Sequence, residues 1–307
     1  MTRVAAVDIG TNSVRLLVAD VAHRDGDTAL EALDRRMRIT RLGEGVDTGH
    51  RLAPAAVERT LDVLREYGEA IRGHGAAKVR AAATSAARDA TNRDEFFAAA
   101  AEAIGVVPEL LSGDEEARLS FGGATACLAD EPAPYLVIDI GGGSTEFTLG
   151  TTEPEAVISV DVGCVRLTEQ WLRSDPPAPE ELSQAVSVVR DHLGDVERAL
   201  PHLRDAKTVV GLAGSITTIA AVEQGVPYSR EAVHRFRLTR DAAEDVFRTL
   251  ALEPAAERRH NPGLEPGRVD IIVGGAVVLV TTMRYFEIDE VLVSEDDILD
   301  GLARSLA

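Results

Sequence analysis

Two short motifs of the chain combine an aspartate, glycine and small hydroxyl or amide side chains. They are Asp8-Ile9-Gly10-Thr11-Asn12-Ser13 and Asp139-Ile140-Gly141-Gly142-Gly143-Ser144-Thr145-Glu146. Glycine lets the main chain approach an anion closely, so that backbone N–H groups, hydroxyls and the amide can surround phosphate oxygens. An aspartate beside such a loop can hold a divalent cation through its oxygens. These residue types therefore predict binding of phosphate together with a metal ion.

Each motif lies between two apolar runs that predict β-strands, so each predicts a hairpin with a small tip. The runs are residues 4–7 and 14–18 for the first motif, and 135–138 and 147–149 for the second. A single Asp-Ile-Gly turn can lack any function, because short motifs have a high false-positive rate. The same order of strand, aspartate, glycine tip and strand occurs twice, however, which predicts a duplicated α/β unit.

A third candidate lies between the two motifs, where Ser112 precedes the acids Asp114, Glu115 and Glu116. One interpretation is structural, since Ser112 can cap a helix and acids suit the positive end of the helix dipole. The other is catalytic, since a carboxylate at a helix start in a phosphate site could take a proton from an attacking water. The residues themselves leave both interpretations open.

Composition limits the classes of partner. A net charge of −19 argues against broad electrostatic capture of nucleic acid or of an anionic membrane surface. The only lysines are Lys78 and Lys207, so nearly all positive charge is arginine, which suits bidentate contacts with phosphate. Two cysteines without Cys-x-x-Cys spacing predict neither a disulfide framework nor a zinc site. With no signal-peptide pattern, and with 271–280 as the longest apolar run, we expect a soluble cytoplasmic protein.

Strand and helix patterns alternate through both halves of the chain, and 307 residues exceed the usual size of one core. We expect two α/β domains, 1–129 and 130–307, each a mixed sheet flanked by helices, with a C-terminal helix at about 294–307 that can pack back onto the first domain. The active site is expected in the cleft between the domains.

The predicted strands after the first hairpin are 29–42, 78–83, 106–111, 157–162, 208–212 and 290–293. The predicted helices include 54–71, 92–104, 113–126, 179–200, 241–250, 268–285 and 296–306.

The motifs together resemble one family. The segments Asp8–Arg15, Ala83–Asn92, Ser112–Arg118 and Asp139–Glu146 are similar to the exopolyphosphatase/guanosine pentaphosphate phosphohydrolase (Ppx/GppA) family of the actin, sugar-kinase and Hsp70 ATPase superfamily. The likeness extends through 163–169, 211–218 and 294–301, and so spans nearly the whole chain. It implies two ribonuclease-H-like (actin-like ATPase) domains.

The resemblance also implies roles for particular residues. Glu116 matches the catalytic glutamate, with Glu115 as the fallback. Asp139 and Glu146 match acids that bind Mg²⁺ and order the nucleophilic water, and Asp8 matches the equivalent metal-binding acid of the first loop. Arg88 is the candidate clamp for the terminal phosphate, whereas Arg15 has both a ligand-binding and a structural interpretation. The implied phosphate cradle consists of Thr11, Asn12, Ser13, Gly141, Gly142, Gly143, Ser144 and Thr145.

The function implied is an exopolyphosphatase that releases orthophosphate from the end of polyphosphate by metal-assisted attack of water, without a covalent intermediate. Longer members of the family carry further C-terminal domains, which this protein is expected to lack, so that a long polyphosphate would have less surface to contact. We therefore expect a preference for short polyphosphates. Hydrolysis of guanosine pentaphosphate is the near alternative, a superfamily kinase acting on a small acceptor is a more distant one, and a non-catalytic sensor is the third. A homodimer and activation by a monovalent cation such as K⁺ are further expectations.

Three features keep two interpretations each. Residues 211–218 predict a strand, a glycine turn and a helix start, which could bind nucleotide or serve close packing. Arg166 could reach a phosphate chain or pair with Glu169. The arginines at 35, 36, 38 and 41 could contact substrate or form a solvated face.

Overall fold

A computed structural model describes residues 1–24 and 27–307. The chain divides into two compact units, which we call unit 1 (residues 1–123 and 296–307) and unit 2 (residues 124–295). The strands are β1 Thr2–Ile9, β2 Ser13–Arg24, β3 Asp27–Ile39, β4 Lys78–Ala83, β5 Glu109–Leu110, β6 Tyr135–Ile140, β7 Thr145–Gly150, β8 Pro154–Val160, β9 Thr208–Leu212, β10 Arg237–Thr239 and β11 Glu290–Val293.

The helices alternate with these strands. They are α1 Val46–Gly49, α2 Pro54–His74, α3 Ser85–Asp89, α4 Arg93–Ile104, α5 Gly113–Thr125, α6 Cys164–Trp171, α7 Pro179–Ala199, α8 Ala213–Gln224, α9 Arg230–Val233, α10 Arg240–Leu252, α11 Ala255–Arg258, α12 Ile272–Tyr285 and α13 Ile298–Arg304. None of the helices in the described part of the chain is long and apolar enough to cross a membrane.

The sheet of unit 1, in the part of the chain that the structure describes, has the strand order β3-β2-β1-β4-β5. Strand β1 is antiparallel to β2 and parallel to β4. Its side chains alternate between two cores, as period-two geometry requires. Ala5 and Val7 face the core that contains α2 and α4, whereas Val4 and Ala6 face the core that contains α13.

The C-terminal helix α13 completes unit 1. Its residues Ile298, Leu299 and Leu302 are buried against the sheet, although almost the whole chain separates them from β1. At Gly301 the helix passes so close to α5 that a Cβ atom would lie 2.1 Å from the carbonyl oxygen of Leu119. Only glycine permits this approach without displacement of one helix.

Unit 2 contains a six-stranded sheet in the order β10-β11-β9-β6-β7-β8. Strand β6 is antiparallel to β7 and parallel to β9. Its two neighbouring strands therefore have the same directions as those of β1 in unit 1. Helix α12 is buried along residues 272–283 and packs on α6, α7, α8 and α10. A helix that is apolar on all sides is expected at the centre of such a layer.

The structure agrees with several sequence-based element bounds and departs from others. Strands β4, β9 and β11 have the predicted bounds, and α2 and α7 begin at the predicted prolines. The strand predicted at 106–111 is reduced to Glu109–Leu110, because it lies at the sheet edge and pairs only with the end of β4. The helix predicted from 268 begins at Ile272, after a 3₁₀ turn at Pro266–Arg268, and the short helix α3 was not predicted.

Candidate active site

The two glycine motifs form hairpin tips with the same closing hydrogen bond. In unit 1 the N–H of Gly10 donates to the carbonyl of Ser13 at 3.0 Å, and in unit 2 the N–H of Gly141 donates to the carbonyl of Ser144 at 3.0 Å. Asp8 lies opposite Arg15 in the first hairpin, and Asp139 lies opposite Glu146 in the second. The repeat predicted from the sequence is therefore a repeat of backbone geometry.

The first tip turns its carbonyl groups toward the segment that follows β3. The carbonyl of Thr11 accepts from the N–H of Gly43 at 2.8 Å, and that of Asn12 accepts from Thr40 and Arg41. In a planar trans peptide the N–H points opposite to the preceding carbonyl. The N–H groups of Asn12 and Ser13 therefore point away from residues 40–43, where they can form a nest for an anion.

Asn12 carries an unusual buried side chain. The residue is 7% exposed, and neither amide atom, Nδ2 or Oδ1, has a hydrogen-bond partner among the described residues. A buried amide without partners costs about 1–3 kcal/mol. Such a group is expected where a ligand supplies the missing partner, which agrees with the predicted role of Asn12 in the phosphate cradle.

The second tip packs on the start of helix α6. The carbonyls of Gly141 and Gly142 accept hydrogen bonds from the N–H groups of Cys164 and Val165, and that of Gly143 accepts from Arg166 Nε at 2.7 Å. By the same peptide geometry, the N–H groups of Gly142, Gly143 and Ser144 point away from α6. They can form a second nest of the type that binds phosphate.

Arg166 and Thr145 support this tip. The Nε of Arg166 donates to the carbonyl of Gly143, and both interpretations that the sequence left open for Arg166 stay predictions. Thr145 is fully buried, and its hydroxyl donates to the carbonyl of Val162. A role for Thr145 in contacting substrate stays a prediction, since the hydroxyl proton is used inside the unit.

The acidic residues of the two hairpins differ in their partners. Asp8 Oδ2 accepts from Arg15 Nε at 3.0 Å and from Arg15 Nη2 at 2.7 Å, and Arg15 also contacts Asp297 at the start of α13. Burial raises the pKa of Asp8, and the charge and hydrogen bonds of Arg15 oppose that rise. These contacts give Arg15 a structural role within unit 1, and its contact with a ligand stays a prediction.

In unit 2 the position opposite the aspartate holds a second acid. Glu146 is 1% exposed, and its Oε1 accepts from the hydroxyl of Ser159 at 2.7 Å. Directly opposite like charges destabilise an antiparallel pair unless something neutralises them. Two carboxylates fit Mg²⁺, which proteins commonly hold through one or two carboxylates together with substrate phosphates. In the described part of the chain, no group of three or more acidic, histidine or cysteine side chains is arranged to hold a metal ion.

The two adjacent glutamates of α5 have different surroundings. Glu115 Oε2 accepts from the N–H of Ser112 at 2.9 Å and from its hydroxyl at 2.8 Å, which forms a capping box. These hydrogen bonds, the backbone one first, lower the pKa of Glu115. Glu116 instead accepts from Arg88 Nη1 at 2.8 Å. The structure brings together the predicted base and the predicted phosphate clamp.

Signals for several supporting residues were absent from the sequence. Ser159 reaches Glu146 through the register of β7 and β8, and Asp297 reaches Arg15 only because α13 packs on unit 1. Arg35 pairs with Asp300 and Arg36 pairs with Asp34, and contact of either arginine with substrate stays a prediction. In the 211–218 turn, the guanidinium of Arg268 lies against the backbone of Gly214, and nucleotide binding there stays a prediction.

Two mixed sheets flanked by helices, each with an aspartate-glycine hairpin, define the class of proteins with two actin-like domains. The model of the Ppx/GppA phosphatase family matches residues 18–306, and the chain belongs to this family. The predicted fold class and family are therefore confirmed, and the chain is an enzyme of a phosphatase family.

Known proteins with similar sequences and structures agree with this assignment. The chain is 45% identical to Exopolyphosphatase 2 of Mycobacterium tuberculosis, over 100% of this chain and 99% of that protein. Its structure is similar to the crystal structure of an exopolyphosphatase-like protein, with a TM-score of 0.94, 36% identity and 100% coverage of both chains. It is also similar to the Ppx/GppA family member of Aquifex aeolicus, with a TM-score of 0.82, 33% identity and coverage of 99% and 97%.

Proposed function

We propose that the protein is an exopolyphosphatase that releases orthophosphate from the end of inorganic polyphosphate. The observation that carries this proposal is the 45% identity, over the full length of both chains, to a protein named Exopolyphosphatase 2. In each unit, taken by itself, the N–H groups of the glycine tip can accept an anionic group, which agrees with a substrate that carries phosphoryl groups.

In this proposal Glu116 is the general base. Its carboxylate takes a proton from the water that attacks the terminal phosphorus, while the bond from that phosphorus to the bridging oxygen breaks. Alignment of the water and neutralisation of the non-bridging oxygens are the main tasks of a protein in phosphoryl transfer. Arg88 is the guanidinium that neutralises the terminal group.

The choice of Glu116 over Glu115 follows from their partners. Glu115 is held in a capping box by Ser112, and its lowered pKa makes it the weaker base. Glu116 lies one residue further along the helix, in contact with the proposed phosphate ligand Arg88. This contact supports the choice, because it joins the proposed base to the proposed ligand of the terminal phosphate.

We propose that Asp139 and Glu146 hold the Mg²⁺ ion, which when bound would neutralise charge on phosphoryl oxygens. The paired carboxylates in unit 2 support this assignment. Asp8 was expected as a further metal ligand, and that role stays a prediction. The ion pair with Arg15 gives Asp8 a second role, which is to join β1 to β2 beside the first tip.

The test is release of phosphate, with Mg²⁺ present, from length-defined polyphosphates, guanosine pentaphosphate and ATP. We expect polyphosphate to be the best substrate. E116Q should lower kcat by about 10²–10⁴-fold, the usual contribution of a general base. E115Q should keep kcat within about threefold and lose only part of the helix cap, which is worth about 1 kcal/mol.

Each contrary result has a definite meaning. Full activity of E116Q with an inactive E115Q would move the base by one residue. Faster release from guanosine pentaphosphate than from polyphosphate would favour the alternative substrate, and steady use of ATP that depends on a small acceptor would favour a kinase. Faster release from long than from short polyphosphate would contradict the expected chain-length preference.

Other expectations belong to the same proposal. A homodimer, a cytoplasmic location and activation by K⁺ stay predictions. The mass of the purified protein in solution and the activity with Na⁺ in place of K⁺ would test the first and the last.

A further inference from the structure

Arg88 and Glu116 are held by two neighbouring strand ends of unit 1. Strands β4 and β5 are parallel, helix α3 follows β4, and helix α5 follows β5. Arg88 lies in the last turn of α3 and Glu116 in the first turn of α5. The carboxyl ends of parallel strands are where open α/β sheets bind ligands, so the two side chains lie where substrate is expected.

A single nitrogen of Arg88 has two acceptors. Nη1 donates to the carbonyl oxygen of Leu111 at 3.0 Å and to Glu116 Oε2 at 2.8 Å. A guanidinium Nη carries two hydrogens, so both are used in this arrangement. A phosphoryl oxygen can therefore gain a hydrogen bond from Nη1 only if one acceptor gives up its place.

The two acceptors differ in how easily they can move. The carbonyl of Leu111 belongs to the backbone, and the N–H of the same residue donates to the carbonyl of Ala83 at the end of β4. Glu116 Oε2 is at the end of a flexible side chain whose backbone N–H is fixed to the carbonyl of Ser112. Glu116 is the acceptor that can leave, and Leu111 is the one that keeps the guanidinium in place.

From this geometry we infer that substrate and Glu116 exchange places on Arg88. In the absence of substrate, Glu116 holds the guanidinium. When the terminal phosphoryl group binds, it takes the hydrogen bond of Nη1 and releases Glu116 Oε2. That oxygen then accepts a proton from the attacking water, whose oxygen bonds to the terminal phosphorus while the electron pair of the broken P–O bond leaves with the shortened chain.

This inference deepens the proposed function and rests on it. It adds that Glu116 can accept the proton of water only when phosphate is bound to Arg88. The side chains of Arg88 and Glu116 are 21% and 13% exposed, so solvent and salt screen this ion pair less than a surface pair. Loss of the pair therefore has a measurable cost in free energy. The alternative arrangement is a permanent pair, in which Glu116 only positions Arg88 during the whole cycle.

A double-mutant cycle on binding separates the two arrangements. The ligand is a methylene-bridged triphosphate analogue that cannot be hydrolysed at the bridge, and its Kd is measured by calorimetry with Mg²⁺ for wild type, E116Q, R88Q and the double variant. If Glu116 competes with phosphate for Arg88, E116Q should tighten binding by about tenfold, since it removes a charged competitor. In the R88Q background the same change should tighten binding by about threefold or less, because only simple charge repulsion is then removed.

The control variant is D114N, which removes the same charge from the same helical turn at an exposed residue. It should change Kd by less than about twofold. If R88Q unfolds, R88M takes its place in the cycle, since methionine keeps an unbranched side chain and removes the charge and every donor. Thermal unfolding of each variant checks that it is folded.

The outcomes distinguish this inference from the proposed function. If E116Q tightens binding equally or more in the R88Q background, the exchange is wrong, although E116Q can still abolish hydrolysis and leave the proposed function in place. If wild type neither binds the analogue nor hydrolyses polyphosphate, both fail together. If E116Q tightens binding of the analogue only when Arg88 is present, the result supports the exchange.

Discussion

At the scale of single residues, the hydrogen-bond partners of the site residues could not be read from the sequence. Glu115 and Glu116 are chemically identical neighbours, yet one caps a helix and the other contacts a guanidinium. The difference arises because successive helical positions point about 100° apart, so that only one of two adjacent side chains can face Arg88. The resemblance to the family already favoured Glu116, and the structure adds the different contacts of the two side chains.

Asn12 gives a residue-scale prediction. N12A should raise KM for polyphosphate by about tenfold, because a buried hydrogen-bond partner of a charged ligand is lost. The same change should not lower the free energy of unfolding, since the amide has no partner among the described residues to lose. Urea unfolding and steady-state kinetics together measure the two effects.

The matched control is Asn92, whose amide is satisfied in the same unit. Its Oδ1 accepts from the N–H of Leu52 at 2.8 Å, and its Nδ2 donates to the carbonyl of Leu52 at 3.1 Å. N92A should therefore destabilise the protein by about 1–3 kcal/mol and leave KM unchanged. If N12A is the more destabilising of the two, Asn12 is a structural residue and not a ligand.

At the scale of elements, both tips are positioned by segments that follow them in the chain. The glycine carbonyls of the second tip are held by α6, and Gly163 lies directly against them. A Cβ atom at Gly163 would be 2.5 Å from the carbonyl oxygen of Gly142 and 2.7 Å from that of Gly141. Any side chain here has to displace the tip.

G163A should therefore move the second tip and reduce kcat/KM for polyphosphate by about tenfold or more, because small misplacement of a binding group is costly in catalysis. The control is G194A in α7, where a Cβ atom would make only ordinary contacts, at 3.6 Å from Arg198 and 3.9 Å from Tyr285. G194A should stabilise the protein by about 0.5–1 kcal/mol and keep full activity. Equal activity of the two variants would show that the position of α6 does not matter.

A second element-scale prediction concerns the ion pair between β3 and α13. Arg35 Nη2 is 2.5 Å from Asp300 Oδ1, and the Asp300 side chain is 4% exposed. R35M leaves this carboxylate buried without its partner and should cost about 3–5 kcal/mol of unfolding free energy at neutral pH. R36M on the same strand should cost less than about 1 kcal/mol, because the Arg36 side chain is 37% exposed and its partner Asp34 keeps a second contact with His74.

The pH dependence of R35M follows from the direction of the pKa shift. Burial, the largest cause, raises the pKa of Asp300, and Arg35 opposes the rise. Without Arg35 the folded pKa should rise further above the unfolded value of about 4. The loss of stability in R35M should therefore shrink as the pH falls through the folded pKa, and a loss that grows on acidification would contradict this account.

At the scale of the whole molecule, the two units are built differently along the chain. Unit 2 is one continuous segment, 124–295, whereas unit 1 needs residues 296–307 as well as 1–123. The apolar residues of α13 belong to one of the two cores of unit 1. The first segment alone therefore lacks the part of this core that α13 supplies.

We expect the fragment 124–295 to fold by itself with a cooperative urea transition. The fragment 1–123 should be unfolded or aggregated, because removal of α13 exposes apolar residues of the sheet and removes Asp297 and Asp300 from Arg15 and Arg35. A fusion of 1–123 to 296–307 through a flexible linker is the control, and it should restore a cooperative transition. A folded 1–123 fragment would show that α13 is dispensable.

The sequence by itself determined the features that depend on local backbone chemistry. The two hairpins, the bounds of β4, β9 and β11, and the helix starts at Pro54 and Pro179 follow from side-chain periodicity, glycine tips and proline, all of which act within a few residues. The same local signals carried the resemblance to the family that the comparisons confirm.

Only the tertiary structure decided which distant side chains contact each other. Arg15 meets Asp297 across 282 residues of chain, Arg88 meets Glu116 across 28, and Asn12 is left buried without a partner among the described residues. The physical reason is that periodicity fixes where a side chain points on its own element, whereas packing between distant elements fixes what it meets.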